Sequence, residues 1–170
     1  DPVFQAYGKR DVAVEVGGTA SVSFSRLTNP YDMLSFNVDV RKDVAGAHGG
    51  TVVQPSMTFL TPVALSAAIA LTVSAEHVDD RYARYYFDVT PAGARASGLP
   101  GYTARAGWKN ANASLLAFYD LDGNLANGGF ALVGAVSYSR LLGNIARSPV
   151  ISERGAKDQL MIGGGLAFTF

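Results

Sequence analysis

The chain of 170 residues has the length of one domain, and residues 1–170 are taken as a single unit. Its 14 basic and 14 acidic side chains cancel, and no basic stretch is present, so we expect no binding to nucleic acid. Only 16% of the residues are charged, against about 25% in soluble domains, and the lack of cysteine excludes disulfides and thiolate metal sites.

Seven strands are predicted in chain order, because apolar residues alternate with small or polar ones along most of the sequence. From Val12 to Phe24, the even positions are mostly valine, alanine and phenylalanine, and most odd positions are small or polar. The predicted strands span residues 11–25, 33–42, 51–60, 63–75, 101–121, 129–141 and 158–170.

The fourth of these segments, which follows Pro62, is apolar enough to suggest a transmembrane helix. However, its larger apolar side chains all occupy odd positions, whereas alanine, serine and threonine occupy the even ones. This period of two is typical of a strand, and Pro55 and Pro62 interrupt any longer helix. A strand is therefore predicted here.

The fifth predicted strand changes phase. Tyr102 and Trp108 lie on even positions, but Leu115 and Tyr119 lie on odd ones. A β-bulge near residues 109–112 would join both halves into one strand, whereas a hairpin there would make eight strands in total. The alternation of short and long connections along the chain favours the bulge.

Strands of about ten residues with one apolar face are typical of a membrane barrel, since soluble strands average roughly five to six residues. We therefore predict an all-β fold, a transmembrane antiparallel β-barrel of the outer-membrane type with seven to eight strands in this chain. The alternative is a soluble β-sandwich. Because bacterial barrels have even strand counts, strands upstream of this chain are expected to complete a barrel of about 10–12 strands.

Four stretches carry a family resemblance: VRKDVAGAHGG at 40–50, YFDVTPAGARASGLPGY at 86–102, YSRLLG at 138–143 and SPVISERGAKDQLMIGGGLAFTF at 148–170. In these stretches the chain resembles the MltA-interacting protein/OmpV family of Gram-negative outer-membrane proteins. The resemblance implies a place in the outer membrane, in contact with its lipid. It also implies a scaffold role for peptidoglycan-remodelling enzymes, with a lytic transglycosylase and a murein synthase as partners. Family members are typically longer, which implies that this chain is the C-terminal portion of a barrel.

The C-terminal residues Gly165, Phe168 and Phe170 resemble the signal that the barrel-assembly machinery reads. The other interpretation is that the two phenylalanines belong to the inner of the two aromatic girdles of such a barrel. Both interpretations are compatible.

Several charged residues have the parity of the polar, inward face. Glu15, Asp39, Arg41 and Arg105 are predicted to form a charge network in the lumen, because unpaired buried charges are costly. Such a network would either plug the barrel or line a small pore. Glu76 and Lys109 share this parity, but a place at the wet rim suits them equally well.

The loop after the fourth strand contains Arg81, Arg84, Tyr85 and Tyr86, which are predicted to form an extracellular contact surface. Alternatively, the tyrosines fold back as an outer aromatic girdle.

No catalytic motif surrounds the two histidines or any serine, so we predict a protein that is not an enzyme and has no cofactor or bound metal. The alternative to the scaffold role is a small-solute channel or adhesin that acts through the lumen and the outer loops.

Overall fold

A computed structural model describes residues 10–169 of the chain. Seven strands and four short helices make up this part of the fold. The strands are β1 (Glu15–Ser25), β2 (Met33–Asp43), β3 (Thr51–Ala64), β4 (Ala67–Val78), β5 (Gly107–Asp120), β6 (Gly129–Leu141) and β7 (Asp158–Thr169). The helices are α1 (Asp80–Phe87), α2 (Pro91–Ser97), α3 (Gly143–Arg147) and α4 (Pro149–Ser152). None of these helices has the length and apolar character needed to cross a membrane.

All seven strands form one antiparallel sheet in which each strand pairs with its neighbours in sequence. The predicted all-β antiparallel architecture is confirmed. Within residues 10–169, β1 pairs only with β2 and β7 pairs only with β6, so each of these two strands has one free edge.

A single bulge explains the change of phase in the fifth strand. Glu76 pairs with Asn110 and His77 pairs with Trp108, so Lys109 is the extra residue on β5. Because a bulge moves the following residues to the opposite parity, one continuous strand accommodates both halves of the pattern. The predicted bulge is confirmed, and the alternative hairpin is wrong.

Some predicted boundaries are wrong. The third strand continues through Pro62 to Ala64, and the sharp turn lies at residues 65–66 rather than at 60–62. A register shift between Pro62 and Ala64 explains how the ladder tolerates a proline there. β5 begins at Gly107 rather than at residue 101, because Tyr102 forms only an isolated bridge to Val89.

The sheet has one apolar and one polar face, as the alternation predicts. Paired residues form rows that run across all seven strands. One apolar row consists of Phe24, Leu34, Phe59, Leu71, Leu115, Val136 and Ile162. A polar row on the opposite face consists of Ser21, Asn37, Ser56, Ser74, Asn112, Ser139 and Gln159.

The connections differ between the two ends of the sheet. At one end, called the turn end below, residues 26–32, 65–66 and 121–128 form short turns. At the other, called the loop end, residues 44–50, 79–106 and 142–157 form longer loops that contain all four helices.

The main hydrophobic cluster of the described residues lies under these loops, and not between two sheets. Val52 and Val78 at the ends of β3 and β4 are covered by Ala83 of α1 and Ile145 of α3, which are completely buried. By contrast, the apolar face remains open, with Phe24 50% and Ile162 74% exposed. The loop helices therefore form a lid over the loop end of the polar face.

Candidate functional site at the loop end of the sheet

Four charged side chains meet beneath the lid, on the polar face. Arg41 of β2 extends past β3, so that its Nη2 lies 2.9 Å from Glu76 Oε1 on β4. The Nη1 atom of the same guanidinium lies 3.5 Å from Glu15 Oε2 on β1. Between them, Nη2 also donates to Gln54 Oε1 at 3.2 Å. One arginine thus connects four adjacent strands.

The bulge on β5 gives Glu76 two further partners. Because Lys109 is the extra residue, its side chain and that of Asn110 both reach the same carboxylate. Lys109 forms an ion pair with Glu76 Oε2, and Asn110 Nδ2 donates to that oxygen at 3.1 Å. The Lys109 ammonium also donates to the Tyr82 hydroxyl of α1 at 3.3 Å. The cluster of Glu15, Arg41, Glu76 and Lys109 is formally neutral, which lowers the cost of its partial burial.

His48 attaches the loop after β2 to this cluster, and its side chain is fully buried. Its Nδ1 accepts the Gly50 backbone N–H at 3.0 Å, so the proton of the neutral ring lies on Nε2. That atom lies 3.4 Å from Glu15 Oε1. Tyr82 packs edge-on against the ring at 5.0 Å.

Aspartates hold the loops that surround the cluster. Asp43 accepts the backbone N–H groups of His48 and Gly49 at 2.8 and 2.9 Å, which closes the turn after β2. Asp79 caps α1 by accepting the N–H of Tyr82 at 2.9 Å, and it also accepts the N–H of Thr51 at 2.8 Å. These carboxylates position α1 and His48 relative to the strands.

The two longest loops are joined by polar contacts. Asn144 of α3 accepts the N–H of Arg105 at 2.9 Å on its side chain and the Tyr102 hydroxyl at 2.6 Å on its carbonyl. The fully buried Ser148 donates from its hydroxyl to the Phe87 carbonyl at 2.7 Å. These contacts join the loops 79–106 and 142–157 into one packed lid.

The structure places two of the four predicted lumen residues in the cluster. Glu15 and Arg41 are in contact, whereas Asp39 accepts a hydrogen bond from Thr19 on the neighbouring strand. Arg105 does not have the predicted inward strand position, because it precedes β5 and is exposed in the loop. Glu76 and Lys109, for which a place at the wet rim was the alternative, are the more buried members of the cluster.

The predicted loop residues lie on α1. Arg81 and Arg84 are exposed, but Tyr85 and Tyr86 lie over His48, with ring centroids at 6.1 and 5.6 Å. Burial raises the pKa of the Tyr86 phenol. The two arginines therefore form the outward part of the predicted surface, and the tyrosines pack inward.

The C-terminal residues lie on the last strand. Phe168 packs against Phe130 at a centroid distance of 4.9 Å on the apolar face. Gly165 pairs with Val133, and Phe170 lies outside the described residues.

Sequence reasoning missed His48, Asp43, Asn144 and Ser148. The sequence contains one usable signal, the aspartate that precedes a glycine-rich turn in VAGAHGG, because such a carboxylate commonly accepts nearby N–H groups. No local pattern marks Asn144 or Ser148, whose partners are about 40 to 60 residues distant along the chain. Among residues 10–169, no group of three or more histidine and acidic side chains is placed to hold a metal ion.

Comparison with curated proteins gives no match, and comparison with solved structures gives none either. One family model, described as MltA-interacting protein MipA, matches residues 1–170. The match covers the whole chain and agrees with the resemblance in the four sequence stretches. The chain belongs to the MltA-interacting protein (MipA) family.

Proposed function

We propose that this chain is part of an integral outer-membrane β-barrel, which serves as a scaffold for a lytic transglycosylase and a murein synthase. The observation that carries the membrane part is the open apolar face, which continues across all seven strands. In water such a face would promote aggregation, whereas in a membrane its apolar side chains would contact the hydrocarbon of the lipids. The family description, which names an interaction with MltA, a lytic transglycosylase, supports the scaffold part.

The height of the apolar face suits a bilayer. On β6 it extends from Phe130 near the turn end to Tyr138 near the loop end. This span corresponds to roughly 27 Å along the strand. At the usual strand tilt it covers about 20 Å of membrane thickness, close to the ~25 Å apolar band of outer-membrane barrels.

The free edges of β1 and β7 support closure by further strands. In hydrocarbon, each unsatisfied backbone group costs several kcal/mol, so an open edge of 11 or 12 residues is not tolerated there. We propose that strands outside this chain complete a barrel of about 10–12 strands.

The connections support an orientation. Outer-membrane barrels have short periplasmic turns and longer extracellular loops, so the turn end would face the periplasm. Enzymes that act on peptidoglycan would then meet the turns. Leu65, at the tip of the turn between β3 and β4, is 83% exposed and is a suitable contact residue.

Three experiments test this proposal together: fractionation of cell membranes, electrophoresis of the protein with and without boiling, and capture of a lytic transglycosylase by the purified protein. The folded protein is expected in the outer-membrane fraction, to migrate faster before boiling, and to capture the lytic transglycosylase. Leu65→Asp is expected to weaken capture, whereas Arg95→Gln on the exposed side of the lid is expected to leave it unchanged. A protein that is soluble without detergent would contradict the membrane proposal, and a barrel that captures no transglycosylase would contradict the scaffold proposal.

A small-solute channel is the second candidate, and the uncharged polar row across the sheet favours it. Ser21, Asn37, Ser74, Asn112 and their neighbours would line a water-filled lumen. The lid over the loop end is an argument against an open pore. Conductance in planar bilayers decides the matter, since ohmic steps that change in Arg41→Gln would favour the channel.

A further inference from the structure

The two borders of the apolar face differ in charge. At the loop end, the apolar-face residues nearest the strand ends include charged, aromatic and imidazole side chains: Lys42, His77, Trp108, Arg140 and Asp158. At the turn end, the corresponding positions are uncharged: Phe24, Leu34, Thr61, Ile69, Tyr119, Phe130 and Phe168. The loop-end residues are called the loop border below.

The cations of the loop border are accessible. Lys42 is exposed and forms no ion pair among residues 10–169. The Arg140 side chain is 57% exposed, although its Nη1 lies 3.1 Å from Asp158 Oδ1. Tyr138 also donates its hydroxyl to Asp158. Since one carboxylate oxygen receives both contacts, most of the guanidinium donors of Arg140 remain free for another anion.

An aromatic pair lies between these two cations along the sheet. Trp108 of β5 packs edge-on against His77 of β4 at a centroid distance of 5.4 Å and is 49% exposed. Tryptophan with an exposed face is typical of the depth at which lipid headgroups begin. The aromatic pair and the two cations therefore lie at the level where charged headgroups meet the protein.

We infer that the loop border binds the phosphate groups of anionic lipid headgroups, through Lys42 and Arg140. This inference rests on the proposed membrane barrel. Long cationic side chains extend from an apolar surface to the interface, where they meet phosphate, and Arg140 can donate two N–H groups to one phosphate. Asp158 weakens the site because its charge repels the same phosphate. At the turn end the apolar-face positions are uncharged, and the adjoining turns contain one cation, Arg26, beside the two carboxylates Asp32 and Asp122. The preference for anionic lipid is therefore expected in the leaflet at the loop end.

Electron paramagnetic resonance with spin-labelled lipids tests the inference on the folded protein in phosphatidylcholine vesicles. The measured quantity is the association constant of labelled phosphatidylglycerol relative to that of labelled phosphatidylcholine. A cation near a lipid surface favours anionic lipid by about five-fold. Wild type is therefore expected to prefer phosphatidylglycerol, and Lys42→Gln with Arg140→Gln to reduce the ratio towards one.

Two further variants separate the site from general charge effects. Asp158→Asn removes the repelling carboxylate and is expected to raise the ratio, while Arg95→Gln, which removes an exposed cation from α2, is expected to leave it unchanged. A wild-type ratio of one, or a ratio that the border variants do not lower, would overturn the inference while leaving the barrel intact. A protein that restricts no labelled lipid of either kind would overturn the barrel proposal together with the inference.

Discussion

Arg41 and Glu76 are joined by a 2.9 Å ion pair that spans an intervening strand, since one lies on β2 and the other on β4. The contact is made at the loop end of the polar face, directly beneath α1. Because the guanidinium also meets Glu15, the outermost described strand is connected to the middle of the sheet by a single side chain. The cluster therefore connects β1 to β4 across the polar face.

Replacement of Arg41 by glutamine should destabilise the fold by about 1–3 kcal/mol, because Glu15 loses an ion-pair partner and Glu76 retains only those on β5. The Arg41 side chain is 38% exposed, so the full cost of a buried ion is not expected. Urea unfolding of the refolded protein in detergent measures the change. The matched Arg105→Gln variant should shift the free energy of unfolding by less than about 0.5 kcal/mol. Equal losses in the two variants would contradict a special role for Arg41.

The Glu76–Lys109 pair should show strong coupling in a double-mutant cycle of Glu76→Gln and Lys109→Met. Both side chains are about 85% buried or more, so we expect a coupling energy of about 1–3 kcal/mol. The same cycle for the exposed pair of Arg140 and Asp158, with glutamine and asparagine, should give about 0–1 kcal/mol. If both cycles gave the same value, burial would not strengthen the contact between Glu76 and Lys109.

Asp32 should produce acid sensitivity at the turn end. Hydrogen bonds to its carboxylate, first from the Thr28 hydroxyl and then from the N–H groups of residues 27–29, lower its pKa from 3.8 to about 2. The folded state thus binds its proton less readily than the unfolded chain. The stabilisation is present above pH 3.8 and is lost as the pH falls from about 4 to about 2.

Asp32→Asn should therefore make the stability curve less steep between these pH values, as measured by urea unfolding at each pH. Asp122→Asn, which replaces an exposed turn carboxylate, should leave the acid limb unchanged. A loss of stability in acid that is as steep in Asp32→Asn as in the wild type would show that Asp32 makes no contribution to it.

Ser148→Ala should loosen the lid. The substitution leaves the Phe87 carbonyl without its buried donor, which costs about 1–3 kcal/mol. Hydrogen exchange followed by mass spectrometry should show faster exchange in α1 and α3, with little change in the central strands. Ser152→Ala, at an exposed position of α4, serves as the control. Unchanged exchange in the Ser148 variant would mean that the contacts of Asn144 and the apolar packing hold the two loops together without this hydrogen bond.

The sequence by itself determined the seven strands, their apolar and polar faces, and the bulge near Lys109. These features follow from a period of two, in which a residue's number alone assigns its face. A local change of phase is visible in the same pattern, because one inserted residue reverses it.

Only the tertiary structure decided which charges of the polar face meet. Asp39 and Arg41 share a face, yet Asp39 contacts Thr19 while Arg41 reaches Glu76, 35 positions further along the chain. The burial of His48 and the joining of the loops by Asn144 are equally non-local. Strand register and loop packing bring these groups together, and both depend on the whole sheet, so no local periodicity encodes them.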